Sequence, residues 1–365
     1  MTAPAALPAP PGQGGAQPRT VLFAWRRIPP PFLIGGAEVS QQLLAEEFAA
    51  AGWNTHYLAS HEPPWRKSGS DLPEMLQQLE TSGITATQPH PGDLRYTHHG
   101  VHVRAVPAAE IVPALHQALD TLRPDLVITS QEGSAELAAL ARERTTVLGW
   151  LHSVSATGMH VLDGRPQAAL AVSRFVLDRA PAGLPAVLLH PPFARPSAQA
   201  RAGRPGDLLM INPVPQKGSA LLHRLIAALP ERHFTLVMGW WDTMDDFRSY
   251  PNVSYLRRTF DMSPLYDSHR LLLVPSLVED AFPRVIVEAA LHSLPALGST
   301  RGGIPEALGD HARCLPPDDE QPWVDAIRAL DDHQLGRLGQ QDQQRAQQWL
   351  RPLLPELAGH GLLPS

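Results

Sequence analysis

Asp280 and Glu288 stand eight positions apart with an apolar stretch between them, so one can sit in a turn and the other about two turns along a helix. A carboxylate accepts two hydroxyls at once, which suits the vicinal diols of a sugar or ribose, while the exposed amides of a helix start suit a phosphate. Glu279 adds a third carboxylate, and the same group of residues could instead merely cap a helix and be solvated. A second candidate is Lys217, in the run Asn212-Pro213-Val214-Pro215-Gln216-Lys217-Gly218. The chain has only Lys67 and Lys217 against 28 arginines, so an arbitrary surface lysine is a poor account of this one, and a compact ammonium suits a diphosphate. Near the start, Gly35-Gly36-Ala37-Glu38 leads into a helical pattern over 39–48, where glycines let backbone amides approach a phosphate, and Arg26 and Arg27 flank the same loop.

These groups need elements to carry them. Residues 270–274 form a short apolar strand of the buried parallel-sheet kind, which puts the acidic turn at its C-terminal edge, where open α/β sheets bind ligands. Residues 208–211 read as another strand, followed by the lysine loop and an amphipathic helix over 219–229. In the first half, strands over 21–25, 55–59, 125–129, 146–151 and 168–172 alternate with helical stretches, with a hairpin about His99-Gly100. The expectation is an α/β chain of two doubly wound parallel-sheet domains facing a cleft. Residues 1–18 read as a disordered tail, 19–193 as the first domain, 194–206 as a linker, 207–334 as the second domain, and 335–365 as a helical segment packing back toward the first. Gln131 and His152, each just past a strand end, point toward the cleft, although a hydrogen-bonded structural histidine is an equal reading for His152. Trp240-Trp241 walls the nucleotide or covers core, and neither reading wins.

From Pro275 to Glu306 the chain resembles the donor-binding half of glycosyltransferase family 4, in the GT-B fold group. Asp280, Phe282, Glu288, Ala289, Pro295, Gly302, Gly303, Pro305 and Glu306 fall on that family's ordered pattern, Lys217-Gly218 on its phosphate loop, and Gly35-Gly36 with Glu38 on its first-domain loop. The resemblance implies a retaining hexosyltransferase moving a sugar from a nucleotide-diphosphate donor to a hydroxyl of a saccharide or lipid-linked acceptor. It implies a donor site of Gly35, Gly36, Asn212, Lys217, Glu279, Asp280, Phe282, Pro283, Arg284 and Glu288, with Glu288 on the ribose and Asp280 or Glu279 on the sugar. Arg26, Glu38, Gln131 and His152 are the acceptor-side candidates, and Asp280, Lys217 and His152 the catalytic ones. Four positions depart from the pattern: Asn212 stands for an arginine, Asp280 for a glutamate, Pro283 for a glycine, and Gln131 near an expected histidine. They motivate an alternative, a degenerate GT-B protein that binds a nucleotide sugar or glycan without turnover; a GT-B epimerase would share the cleft but need no acceptor.

Composition narrows the partners. A formal charge of −6 argues against a nucleic-acid surface spread over the whole chain, and no apolar run reaches membrane-spanning length, so contact with a lipid acceptor's membrane is at most peripheral. The lone Cys314 excludes an internal disulfide and fits a reducing, cytoplasmic setting. The expected site uses no cofactor beyond its donor substrate and no metal, and His90, His98, His99 and His102 read as loop and hairpin residues.

Overall fold

The computed structural model describes residues 18–32, 35–62, 72–196, 206–239, 247–257, 259 and 261–364. The tail 1–17, most of the expected linker and the Trp240-Trp241 pair lie outside them.

The first sheet comprises β1 (Thr20–Ala24), β2 (Asn54–Ser60), β3 (Ala86–Thr87), β4 (Leu94–His98), β5 (Val101–Val106), β6 (Leu126–Thr129), β7 (Thr146–Leu151), β8 (Ala168–Ala171) and β9 (Ala186–Leu188), in the order β3-β4-β5-β2-β1-β6-β7-β8-β9. All neighbours are parallel except β3–β4 and β4–β5. The exception comes from the turn: His99 (φ 45) and Gly100 (φ 80) are both left-handed, the conformation of a two-residue hairpin loop whose twist matches its strands. The second sheet holds β10 (Leu208–Ile211), β11 (Phe234–Val237), β12 (Val253–Leu256), β13 (Leu271–Val274), β14 (Ala296–Ser299) and β15 (Cys314–Leu315), all parallel in the order β12-β11-β10-β13-β14-β15. Both sheets are therefore doubly wound, and the two-domain α/β architecture is that of the GT-B fold.

Helices cover these sheets, so the central strands are mostly buried. β1 and β13 are buried at every residue, and each Leu or Phe so placed stabilises the fold by about 1.5–3 kcal/mol. The C-terminal segment begins earlier than residue 335: Asp331 caps the helix Asp332–Ala346 through a capping box with Gln334. Beyond it the backbone N–H groups of Leu353 and Leu354 donate to the Glu47 carboxylate of the first domain, at 2.9 and 2.7 Å. Among the described residues no helix is long and apolar enough to cross a membrane.

Candidate active site

Between the two sheets lies a cavity of about 710 Å³, lined from the first domain by Gly35, Gly36, Ser40 and His152 and from the second by Asn212, Lys217, Ser276, Asp280, Phe282, Pro283, Arg284 and Glu288. That volume falls within the range of small-molecule sites.

Three glycines shape its acidic side. The lysine turn Pro215–Lys217 ends at Gly218 (φ 93), where a β-carbon would overlap the Pro275 carbonyl. Backbone N–H groups of Leu277 and Val278 donate to the Gln216 carbonyl at 3.0 and 3.3 Å, so the lysine loop and the acidic loop lie side by side. Lys217 Nζ consequently bonds Asp280 Oδ1, and Asp280 Oδ2 is buried without a partner among the described residues. From the other side Gly302 (φ 58) and Gly303 pack directly on the backbone of Asp280 and Ala281, where any β-carbon would overlap it, and Gly303 N–H donates to the Asp280 carbonyl at 2.6 Å. The Gly-Gly pair thus holds the carboxylate's loop, and takes no place in the cavity lining.

Pro283 is the cap (φ −74, ψ 96) of a helix that runs Arg284–Leu291. Glu288 follows in its second turn and is held from two sides: Arg284 Nε donates to Oε1 at 3.1 Å and the Tyr266 hydroxyl to Oε2 at 3.1 Å. Burial, then the neighbouring carboxylate, pushes the Tyr266 phenol well above its ordinary value, so it remains a donor. Tyr266 has no local sequence signal and was not among the expected site residues. Arg284 also donates to the Pro192 carbonyl at 2.6 Å and to Ser40 Oγ at 3.1 Å, and its guanidinium lies 4.3 Å from the Phe193 ring. One buried arginine therefore touches both domains and the ribose candidate.

On the first-domain side, Gly35 is the extended cap of the helix Gly36–Ala50, and Gly35, Gly36 and Ala37 line the cavity. His152 stacks obliquely on Trp150 at 4.6 Å, and its Nε2 is buried with no partner. Burial, with smaller contributions from Arg27 and Arg284, lowers its pKa to about 3, so the ring is neutral at physiological pH. Asn212 has φ 59, which asparagine tolerates, and its Oδ1 is buried without a partner against Gly239.

The structure departs from the sequence reading at four residues. Glu279 points away from the cavity to an exposed pair with Arg179 at 3.3 Å, because the tight Val278–Asp280 turn puts successive side chains on opposite sides. Arg26 pairs with Glu136 at 2.5 Å and packs over Gly133, and so lies outside the lining. Glu38 is buried, bonded by Arg27 at 2.9 Å, and Arg27 makes a two-point contact with Glu132 at 2.7 Å each. Neither arginine replaces the cation missing at Asn212. Gln131 is buried in a left-handed turn (φ 65) whose carbonyl accepts from Ser134, and it too is absent from the lining. Glu306, at the end of the glycine turn, accepts the Arg174 N–H at 2.8 Å and lies 2.6 Å from His190 Nε2, a further link between the domains.

Residues 207–333 match the family described as Glycosyl transferases group 1. No curated protein matches the chain by sequence. Among solved structures, the chain is similar to sucrose-phosphate synthase from Thermosynechococcus elongatus (17% identity, 94% of this chain and 96% of that one, TM-score 0.68). It is likewise similar to HepE of Anabaena in complex with UDP and glucose (16%, 93% and 98%, 0.69). A third is the catalytic domain of starch synthase IV from Arabidopsis thaliana bound to ADP and acarbose (13%, 95% and 100%, 0.63). The match to that family and these neighbours agree with the GT-B glycosyltransferase resemblance read from the sequence.

Proposed function

We propose that this GT-B chain is a retaining glycosyltransferase that moves a sugar from a nucleoside-diphosphate donor to an acceptor hydroxyl of a saccharide or lipid-linked glycan. The observation that carries it is one cavity bringing together Lys217, Asp280, Glu288 and the start of the helix Gly36–Ala50 at Gly35 and Gly36. Two neighbours hold a nucleoside diphosphate, UDP in HepE and ADP in starch synthase IV, which supports that donor class.

In this reading Glu288, pre-set by Arg284 and Tyr266, accepts the two ribose hydroxyls. Donor entry breaks the Lys217–Asp280 pair: the ammonium turns to the diphosphate, and Asp280 accepts sugar hydroxyls, which satisfies its partnerless Oδ2. As the glycosidic bond breaks, negative charge gathers on the leaving diphosphate, and Lys217 and the Gly35–Gly36 amides stabilise it. The Asn212 amide, turned over, offers Nδ2 as a neutral donor where the family pattern has a cation. Neutral His152, at the first-domain wall, accepts a hydrogen bond from the sugar or acceptor, since an uncharged imidazole has a free lone pair. These charges need no metal at the donor site.

The second reading, binding without turnover, is favoured by Pro283, which offers no amide where a helix start would bind phosphate, and by the missing cation at 212. Calorimetry with UDP, GDP, ADP and their sugar conjugates tests the first step, and donor hydrolysis or transfer to an acceptor panel tests the second. Binding of one nucleotide with turnover is expected. Binding without turnover on any acceptor selects the degenerate reading, and no binding by any nucleotide ends the transferase reading.

A further inference from the structure

We propose that Glu46, His98 and His99 form a binding site for a divalent, imidazole-preferring metal ion of the zinc type, which staples the β4–β5 hairpin to the helix Gly36–Ala50. Glu46 Oε1 lies 2.8 Å from His99 Nδ1 and 3.9 Å from His98 Nε2, and all three ligand atoms fall within 4.8 Å of one another. Zinc bonds of about 2.0–2.1 Å place tetrahedral ligands about 3.4 Å apart, between those two separations. The rings stack at 4.0 Å, so seating an ion takes a rotation that aims both lone pairs at it, with water completing the shell.

The turn is what makes this possible. Consecutive residues of a strand point to opposite faces, but His99 is the left-handed first residue of the hairpin loop (φ 45), so its ring stacks on that of His98 at 4.0 Å and 22°. The loop rests against the helix, a β-carbon on Gly100 coming within 3.2 Å of the Ala49 methyl. One turn before Glu46, Gln42 Nε2 donates to Glu46 Oε1 at 2.6 Å, the outer-shell bond that orients a ligating carboxylate, and lies 3.5 Å from His98 Nε2. Gln42 Oε1 is buried without a partner among the described residues, so this corner holds unused polar capacity. The histidines alone read as hairpin residues in the sequence; the missing ligand was Glu46, 53 residues from His99 along the chain. Glu46 is ten residues beyond Gly36, about 15 Å along the helix, and none of the three residues lines the cavity, so the role assigned is mechanical.

The test uses the full chain, stripped with chelator and titrated with ZnCl2 by calorimetry, with melting followed in chelator and in one equivalent of Zn2+. One tight site per chain and a Zn2+-dependent rise in Tm are expected for the wild type. His99→Ala, at a side chain 65% exposed and therefore safe for folding, and Glu46→Gln each weaken binding by more than about 100-fold, beyond the 10- to 100-fold of outer-shell changes. Gln42→Ala weakens it by about 10-fold, and His90→Ala, at an exposed loop histidine, leaves it unchanged. Melting in chelator reports stability without the metal, so a variant that is merely less stable is distinguished from one that has lost the metal. Zn2+ uptake below the millimolar range that is absent in the wild type, or equal in wild type, His99→Ala and Glu46→Gln, overturns the proposal.

Discussion

A β-carbon added to Gly36 of the first domain would stand 2.8 Å from Cδ of Arg284 in the second, so the helix start and the arginine stem meet without spare room. Gly36→Ala must displace Arg284 from Ser40 and the Pro192 carbonyl, and with it the support of Glu288. We expect a loss of about 1–3 kcal/mol, the usual cost of overpacking, together with weaker donor binding. Thermal melts and donor titration on the same variant check both, and a variant with unchanged melting would show that the two domains do not meet here.

Lys217 is expected to act mainly on the leaving group. Lys217→Ala should lower kcat by about 100- to 1,000-fold, the range seen when a donor to developing charge is removed. Lys217→Arg should recover part of it. Steady-state kinetics with the identified donor separate this from a binding role: a rise in KM at constant kcat would contradict the assignment.

Glu288 is assigned to ribose. Charge-assisted hydrogen bonds contribute about 1.5–3 kcal/mol, so Glu288→Ala should weaken nucleoside-diphosphate binding by about 10- to 100-fold. The specific check is a 2′,3′-dideoxy nucleotide, which should bind wild type and variant almost alike. Tyr266→Phe, which removes one of the two supports, should show the same pattern at smaller size.

The His152 ring carries a pH signature. The unfolded chain protonates it near 6.5, whereas the folded ring resists protonation down to about 3. Its stabilising contribution is therefore complete above pH 6.5 and is lost progressively as pH falls toward 3. The slope is at most about 1.4 kcal/mol per pH unit, less in so far as the cleft admits water. Urea denaturation between pH 7 and 5 should be less pH-dependent for His152→Gln than for the wild type, and parallel curves would refute the buried neutral ring.

Much of the frame is local, and the sequence by itself determined it. Apolar runs such as Leu271–Val274 can be buried only as central strands, and their alternation with amphipathic helices leads to two doubly wound sheets. The order of Lys217, Asp280, Glu288 and the glycine pairs located the cavity, because strand ends and helix starts are set by residues a few positions away. The helix Ile111–Leu122 was also within reach, its amphipathic pattern being plain once sought, whereas the half-buried edge strand β12 has little pattern to read. Only the tertiary structure decided which charges meet. Glu279 turns to Arg179, Arg27 is taken by Glu38 and Glu132, Tyr266 supports Glu288, and His99 finds Glu46. Several of these partners lie 50 to 105 residues apart, and no local periodicity encodes them: such pairs are fixed by how packed helices and strands bring separate stretches together, after burial has chosen the fold.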